Sequence, residues 1–238
     1  VVAVVVFLLV HLSPGDPAAI IAGDNATPDQ VRLIRAKLGL DEPLWTQFAI
    51  WSWAVLRGDL GVSIFSNVPV ATLILQRAEP TVALALTTLT VAVAIAIVAG
   101  VLSAWKSGTW VDRVVMAVAV AGFSVPVFVV GYGLIYLFAM ELKWLPVQGY
   151  VPIGKGLWPW LRNLILPSVT LGFAYVALIA RMTRATMIDV LNEDYIRTAT
   201  AKGVATPRML IRHALANAAV PIVTVIGIGV ALLIGGVV

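Results

Sequence analysis

Four long runs of the chain contain no Asp, Glu, Lys, Arg or His, and polar segments that carry the charges separate them. The runs cover residues 80–105, 114–140, 163–180 and 214–238. Each is close to or above the roughly 18–20 residues that a helix needs to cross a hydrocarbon core about 30 Å thick. A fifth apolar run, 1–10, is too short to span. The pattern therefore predicts an all-α, polytopic integral membrane protein.

Composition supports this prediction and excludes several classes of protein. Hydrophobic residues make up 61% of the 238 positions, whereas a soluble domain is about half apolar. The net charge is +4, but the basic residues do not form a basic face on a soluble domain, so we expect no binding of nucleic acid. The chain has no cysteine, which excludes disulfides and cysteine-ligated metal sites.

The charges are distributed unevenly between the segments that join the apolar runs. Segments 13–79 and 141–162 together hold eight bases and eight acids, whereas 106–113 and 181–213 hold eight bases and four acids. Loops rich in Lys and Arg stay in the cytoplasm. We therefore expect segments 13–79 and 141–162 to face outward and the other two to face inward.

The outer segment 13–79 has helix signals of its own. Thr27 is a predicted N-cap, with Pro28 in the first turn and Gln30 completing a capping box, and Gly39 can end that helix. A second helix is predicted from Pro43 to Gly58. Its aromatic residues are interpreted as packing within the segment or at the membrane interface, rather than as a ligand-stacking surface.

Two short stretches resemble enzyme motifs but lack residues that those motifs require. "GYVPIGKG" at 149–156 resembles a phosphate-binding loop, but Gly156 lacks the hydroxyl that would bind magnesium and Pro152 lacks a backbone donor. "GFSVP" at 122–126 has Pro126 where a nucleophile elbow needs glycine. The two histidines are far apart in sequence. We predict no catalytic site, no metal site and no cofactor.

The polar stretch 192–207 predicts two short helices joined at a glycine. Asn192 is the predicted N-cap of the first, with Asp194 at its positive end and Lys202 at its negative end. Gly203 then supplies a left-handed residue, and Thr206 is the predicted N-cap of the next helix, with Pro207 in its first turn. Physical reasoning leaves two interpretations open. The first helix either rests on anionic lipid or docks on a cytoplasmic partner.

A resemblance distinguishes between these interpretations. "RMTRATMIDVLNEDYIRTATAKGVATPRMLIRHALANAAVP" at 181–221 resembles the coupling loop of binding-protein-dependent ABC-transporter permeases, particularly the peptide and nickel branch. The family pattern is Glu-Ala-Ala, three residues, Gly, nine residues, then Ile-x-Leu-Pro. Gly203 matches it, but Arg197-Thr198-Ala199 replaces the first triplet and the terminal proline is missing. "LSPGDPA" at 12–18 and "LRGDLGVS" at 56–63 resemble the same branch.

The resemblance implies the type I (MetI-like) fold of ABC importers, with a small extracytoplasmic helical insertion. The implied organisation is a clipped first span at 1–12, the insertion at 13–77 and a permease core at 78–238 with its final span absent. The core would hold spans at about 80–105, 114–140, 163–187 and 214–238, and a coupling loop at 188–213. The residues implied to couple to an ATPase are Asp194, Ile196, Arg197, Ala199, Lys202, Gly203, Ala205 and Pro207.

The resemblance also implies partners and a function. The implied partners are a second permease subunit, cytoplasmic ATP-binding cassette subunits, an extracytoplasmic solute-binding protein and membrane lipid. The implied location is a bacterial or archaeal cytoplasmic membrane. The expected solutes are peptides, followed by nickel chelates and oligosaccharides. The rival hypothesis is an ion-coupled secondary carrier, which usually keeps ionisable groups inside its spans. The four apolar runs contain none.

Overall fold

The computed structural model describes residues 2–12, 16–23, 26–63, 66 and 68–237. These residues form helices, and within the described ranges the only strand-like pairing is an antiparallel bridge between Val62 and Pro69. The predicted all-α fold is confirmed. The chain divides into two compact units, Val1–Ala78 and Glu79–Val238.

The first unit contains four short helices before a long one begins. They are α1 (Val2–Leu12), α2 (Pro17–Ala22), α3 (Pro28–Lys37) and α4 (Leu44–Leu56). The predicted capping box of α3 is present, because Gln30 N–H donates to Thr27 Oγ1 and Thr27 N–H donates to Gln30 Oε1. Phe48 and Trp51 of α4 pack on Phe7 of α1, with ring centroids 5.3 and 5.9 Å away. These two aromatic side chains therefore serve packing, as predicted.

Long apolar helices dominate the second unit. In chain order, α5 (Val70–Trp105), which begins in the first unit, is followed by α6 (Trp110–Ser124), α7 (Val127–Leu134), α8 (Leu157–Leu191), α9 (Asp194–Ala201), α10 (Thr206–Arg208) and α11 (Ala216–Val237). Wider π-helical turns extend α7 over Ile135–Glu141 and join α10 to α11 over Met209–Leu215. Three helices of the described chain are long and apolar enough to cross a membrane, or four if α6 and α7 form one broken span.

The apolar run at 114–140 is not one straight helix. α6 and the helix that begins with α7 meet at an angle of 106°, with the break at Val125 and Pro126. Proline cannot continue the backbone hydrogen-bond ladder and it restricts the residue before it to extended conformations. Val125 accordingly has ψ of 124°. Ser124 donates its hydroxyl back to Val120 O, as expected for a serine in an apolar helix.

Small residues let α5 and α6 approach α8 closely. A Cβ on Gly100 of α5 would lie 2.6 Å from Thr183 Cβ, and one on Gly122 of α6 would lie 2.8 Å from Ala177 Cβ. Such distances mean that the helix backbones meet at the glycines, as in other membrane bundles. Thr183 and Ala177 are buried at these contacts.

The stretch "GYVPIGKG" folds as a loop around one short 3₁₀ turn, Ile153–Lys155. The carboxylate of Glu79, at the start of the second unit, accepts from Ile153 N–H at 3.1 Å and from the Tyr150 hydroxyl at 2.9 Å. Burial and the neighbouring carboxylate raise the pKa of Tyr150 above its ordinary value. The loop is therefore attached to the first half of α5 by the carboxylate of Glu79.

Candidate functional site

The connection between α8 and α9 is a tight polar turn. Asn192 is not the N-cap that the sequence predicts, since it continues the helical conformation of α8 and its side-chain amide donates to Ile188 O. Glu193 takes the N-cap position instead, with ψ of 147°, and makes no side-chain capping bond. The prediction is wrong by one residue because the Asn192 amide binds back to α8 rather than forward to α9.

Gly203 forms the corner after α9. Its φ of +77° is the left-handed conformation that the sequence predicts, and its N–H donates to Thr200 O at 3.0 Å. Ala205 occupies the N-cap position of α10, so Thr206 is the first helical residue and not the predicted cap. Pro207 lies in the first turn, where its missing N–H costs nothing.

Ile196 anchors α9 to the rest of the second unit. Its side chain is only 4% exposed and belongs to the same buried cluster as Met187 of α8, Leu210 and Ala104 of α5. Burying an isoleucine side chain contributes about 1.5–3 kcal/mol. One residue earlier, the Tyr195 hydroxyl accepts a hydrogen bond at 3.0 Å from the amide of Asn217 in α11. α9 is therefore attached to α5, α8 and α11.

The opposite side of the α9 segment is open. Among the eight residues proposed from the sequence, Ile196 is buried and Ala199 is partly buried. The other six are exposed: Asp194, Arg197, Lys202, Gly203, Ala205 and Pro207. A Cβ placed on Gly203 would meet no atom within 4 Å. The segment thus joins a buried apolar anchor to an uncovered polar surface, which is the arrangement that docking on a partner requires.

An ion pair that the sequence does not predict joins α8 to α6. Arg184 of α8 donates Nε–H to Asp112 Oδ1 at 2.6 Å and Nη2–H to Oδ2 at 2.7 Å. Asp112 of α6 also accepts from the hydroxyl of Ser103 in α5 and from Gly108 N–H, at 2.5 and 3.0 Å. Four donors therefore satisfy one carboxylate that is 4% exposed. Asp112 was the only acid of its loop, which was the one available signal.

Comparison with known proteins agrees with this geometry. The family model described as "Binding-protein-dependent transport system inner membrane component" matches residues 96–238, and the model of its N-terminal part matches residues 1–87. The chain belongs to this family. It is therefore a permease subunit of an ABC importer, with an all-α polytopic fold, in the cytoplasmic membrane. The predicted resemblance to the peptide and nickel branch is confirmed.

Two relatives cover nearly the whole chain. The "Probable peptide ABC transporter permease protein y4tP" of Sinorhizobium fredii is 54% identical over 237 residues, which are 100% of this chain and 76% of the relative. The "Glutathione transport system permease protein GsiC" of Escherichia coli K12 is 44% identical over 236 residues, which are 99% of this chain and 74% of the relative. Neither the family nor these relatives support the secondary-carrier hypothesis.

Family membership also fixes the kind of assembly in which the chain works. Permeases of this family act with a second permease, an ATPase and a binding protein, so this subunit is a transport component and not an enzyme.

Proposed function

We propose that this permease moves peptides into the cell, and that the segment 192–207 carries the effect of ATP binding from an ATPase to the spans. The names of the two relatives, for a peptide and for glutathione, support a peptide solute. The geometry supports the role of the segment. One observation supports it most directly: the buried Ile196 side chain joins a largely exposed α9 to the core of the second unit.

The proposed docking surface consists of the exposed residues of that segment. Asp194 and Arg197 stand three residues apart on α9, with 3.5 Å between carboxylate and guanidinium and side chains 96% and 72% exposed. Such an exposed pair contributes little to stability, so both charges remain available to a partner. Lys202, Gly203, Ala205 and Pro207 extend the surface around the corner.

Movement of α9 would reach the spans through its anchor. The buried cluster around Ile196 contains residues of α5, α8 and α11, so a push on α9 acts on all three helices. Close-packed interiors transmit such displacements because they have few voids to absorb them. The second permease subunit would complete the path, and an extracytoplasmic binding protein would deliver the solute.

Transport by the reconstituted complex tests this function. The permease, its partner permease and its ATPase are placed in proteoliposomes, with the binding protein added, and uptake of radiolabelled dialanine and of glutathione is measured. We expect uptake of at least one of these peptides that requires ATP. Uptake driven by a proton or sodium gradient without ATP would support the secondary carrier instead, and no uptake of either peptide would contradict the proposed solute.

A further inference from the structure

Two arginines of α8, three residues apart, contact opposite ends of α6. Arg184 binds Asp112 in the first turn, whereas the guanidinium of Arg181 lies 4.8 Å from the ring centroid of Phe123 in the last turn. At 1.5 Å per residue, Phe123 is about 16.5 Å along α6 from Asp112. Arg181 therefore extends its charge toward the middle of the membrane, beside the break at Pro126.

The direction of both side chains follows from helix geometry. Side chains lean toward the N-terminus of their helix. By the predicted topology, the N-terminus of α8 is outside and that of α6 is inside. The Arg181 side chain therefore leans outward and the Phe123 side chain leans inward, which brings the two into contact. A cation over an aromatic ring is attracted to the ring face. This contact holds Arg181 away from the cytoplasmic surface, to which a long basic side chain would otherwise extend.

Arg181 differs from Arg184 in having no acid. In the part of the chain that the structure describes, no carboxylate lies within 4 Å of its guanidinium, and the residue is exposed. An uncompensated charge at this depth is costly in lipid. Ionisable residues in such positions face a water-filled path or a ligand, and an arginine presents a planar fork that matches a carboxylate.

The face of α8 that carries Arg181 also lines a cleft at the outer side. Asn163 and Arg181 are 18 residues apart, which is about five helical turns, so they lie on one face. Asn163 and Thr170 line an open cleft of about 470 Å³ between α7, α8 and the loop that contains Gln148. Ala177 lies one turn before Arg181 on nearly the same face and is covered by Gly122 of α6, so the cleft and Arg181 lie on the two sides of that helix contact.

We propose that Arg181 binds the carboxylate of the peptide during its passage, with Phe123 positioning the guanidinium. The inference rests on the proposed function, since it requires a peptide solute. Every unmodified linear peptide ends in a carboxylate, so one such site serves peptides of different sequence. A two-hydrogen-bond contact with a carboxylate supplies orientation as well as affinity.

The test measures uptake by the reconstituted complex at saturating, peptide-loaded binding protein, so that capture of the solute does not limit the rate. Arg181→Gln should lower the maximal rate for dialanine at least about tenfold, because it removes a charged hydrogen-bond donor. The concentration of binding protein that gives half the maximal rate should not change. Phe123→Leu should give a smaller loss, of about fivefold. The matched control is Arg113→Gln, which removes the same charge from the exposed inner part of α6.

A chemical rescue separates a role of the charge from a role in packing. The chain has no cysteine, so Arg181→Cys can be modified selectively in this subunit when its partners are made cysteine-free. A thiol reagent that adds an aminoethyl group should restore uptake, and a reagent that adds a neutral methyl group should not. Equal recovery with both reagents, or wild-type uptake by Arg181→Gln, would overturn the proposal. If the unmodified complex takes up no peptide, the proposed function itself fails, which is a different result.

Discussion

Arg184 and Asp112 form a two-hydrogen-bond ion pair across 72 positions of the sequence, with donor–acceptor distances of 2.6 and 2.7 Å. Because Ser103 and Gly108 N–H also donate to Asp112, the pair joins α5, α6, the turn between them and α8. One end of α5 and one end of α6 are thereby fixed to α8, about two turns before the segment that leads to α9.

Removing one member of this pair should destabilise the protein strongly. Asp112→Asn leaves the Arg184 guanidinium without a counter-charge, and breaking a buried ion pair costs about 3–5 kcal/mol. We expect a clear fall in the Tm of the detergent-solubilised permease. Arg32→Gln is the control, since it removes an ion pair whose side chains are 79% and 86% exposed and which contributes about 0–1 kcal/mol. Equal Tm values for the two variants would contradict the structural role.

The contact of α5 with α8 should not tolerate a methyl group at Gly100. A Cβ there would lie 2.6 Å from Thr183 Cβ and 2.8 Å from the carbonyl oxygen of Ala180, and backbone cannot rotate away. Overpacking of this kind costs about 1–3 kcal/mol, so Gly100→Ala should lower the Tm. Gly133→Ala is the matched change, because a Cβ at that helical glycine meets nothing within 4 Å. Unfolding followed by tryptophan fluorescence should show a loss for the first variant alone.

The orientation in the membrane is open to labelling of single cysteines in intact cells. The charge distribution predicts that Leu33 and Gly154 face outward and that Ser107 and Thr206 face inward. Cysteines at the first two positions should react with an impermeant maleimide, and those at the other two should react only after the membrane is opened. Reaction at Ser107 or Thr206 in sealed cells would reverse the topology.

The features that the sequence predicts correctly depend on neighbouring residues. The capping box of Thr27 and Gln30 is set by residues three apart, and the left-handed corner at Gly203 depends on the backbone freedom of one residue. The one-residue error at Asn192 is of the same local kind. Asn192 and Glu193 are both polar residues next to the start of α9. Glu193 takes the N-cap position because the Asn192 amide donates to Ile188 O of α8.

The features that the sequence could not predict depend on contacts between distant segments. Nothing in the order of residues shows that Arg184 meets Asp112, because this requires the packing of α8 on α6. A bend at Pro126 is readable from the sequence, but its angle of 106° is set by what each half packs against. Arg181 reads as one more base of an inner loop, and only its contact with Phe123 reveals that the side chain extends outward.

The central claim, that the α9 segment docks on the ATPase, makes Gly203 the most informative position. In the described structure a Cβ at Gly203 meets no atom within 4 Å apart from its neighbours in sequence, so the chain itself leaves room for a side chain to begin there. Asp and Asn have nearly the same shape, and both tolerate the left-handed conformation better than other residues with side chains. Gly203→Asn therefore controls for backbone strain, and Gly203→Asp adds a charge.

The decisive measurement is ATP-dependent peptide uptake by the reconstituted Gly203→Asp complex, together with co-purification of the ATPase and the Gly203→Asn control. Burying an unpaired charge at a contact costs several kcal/mol, and about 1.4 kcal/mol is tenfold in affinity. We predict that Gly203→Asp reduces uptake and co-purification at least about tenfold below Gly203→Asn, while insertion into the membrane is unchanged. Full uptake and full co-purification by Gly203→Asp would contradict docking at this segment and would favour a helix that rests on lipid.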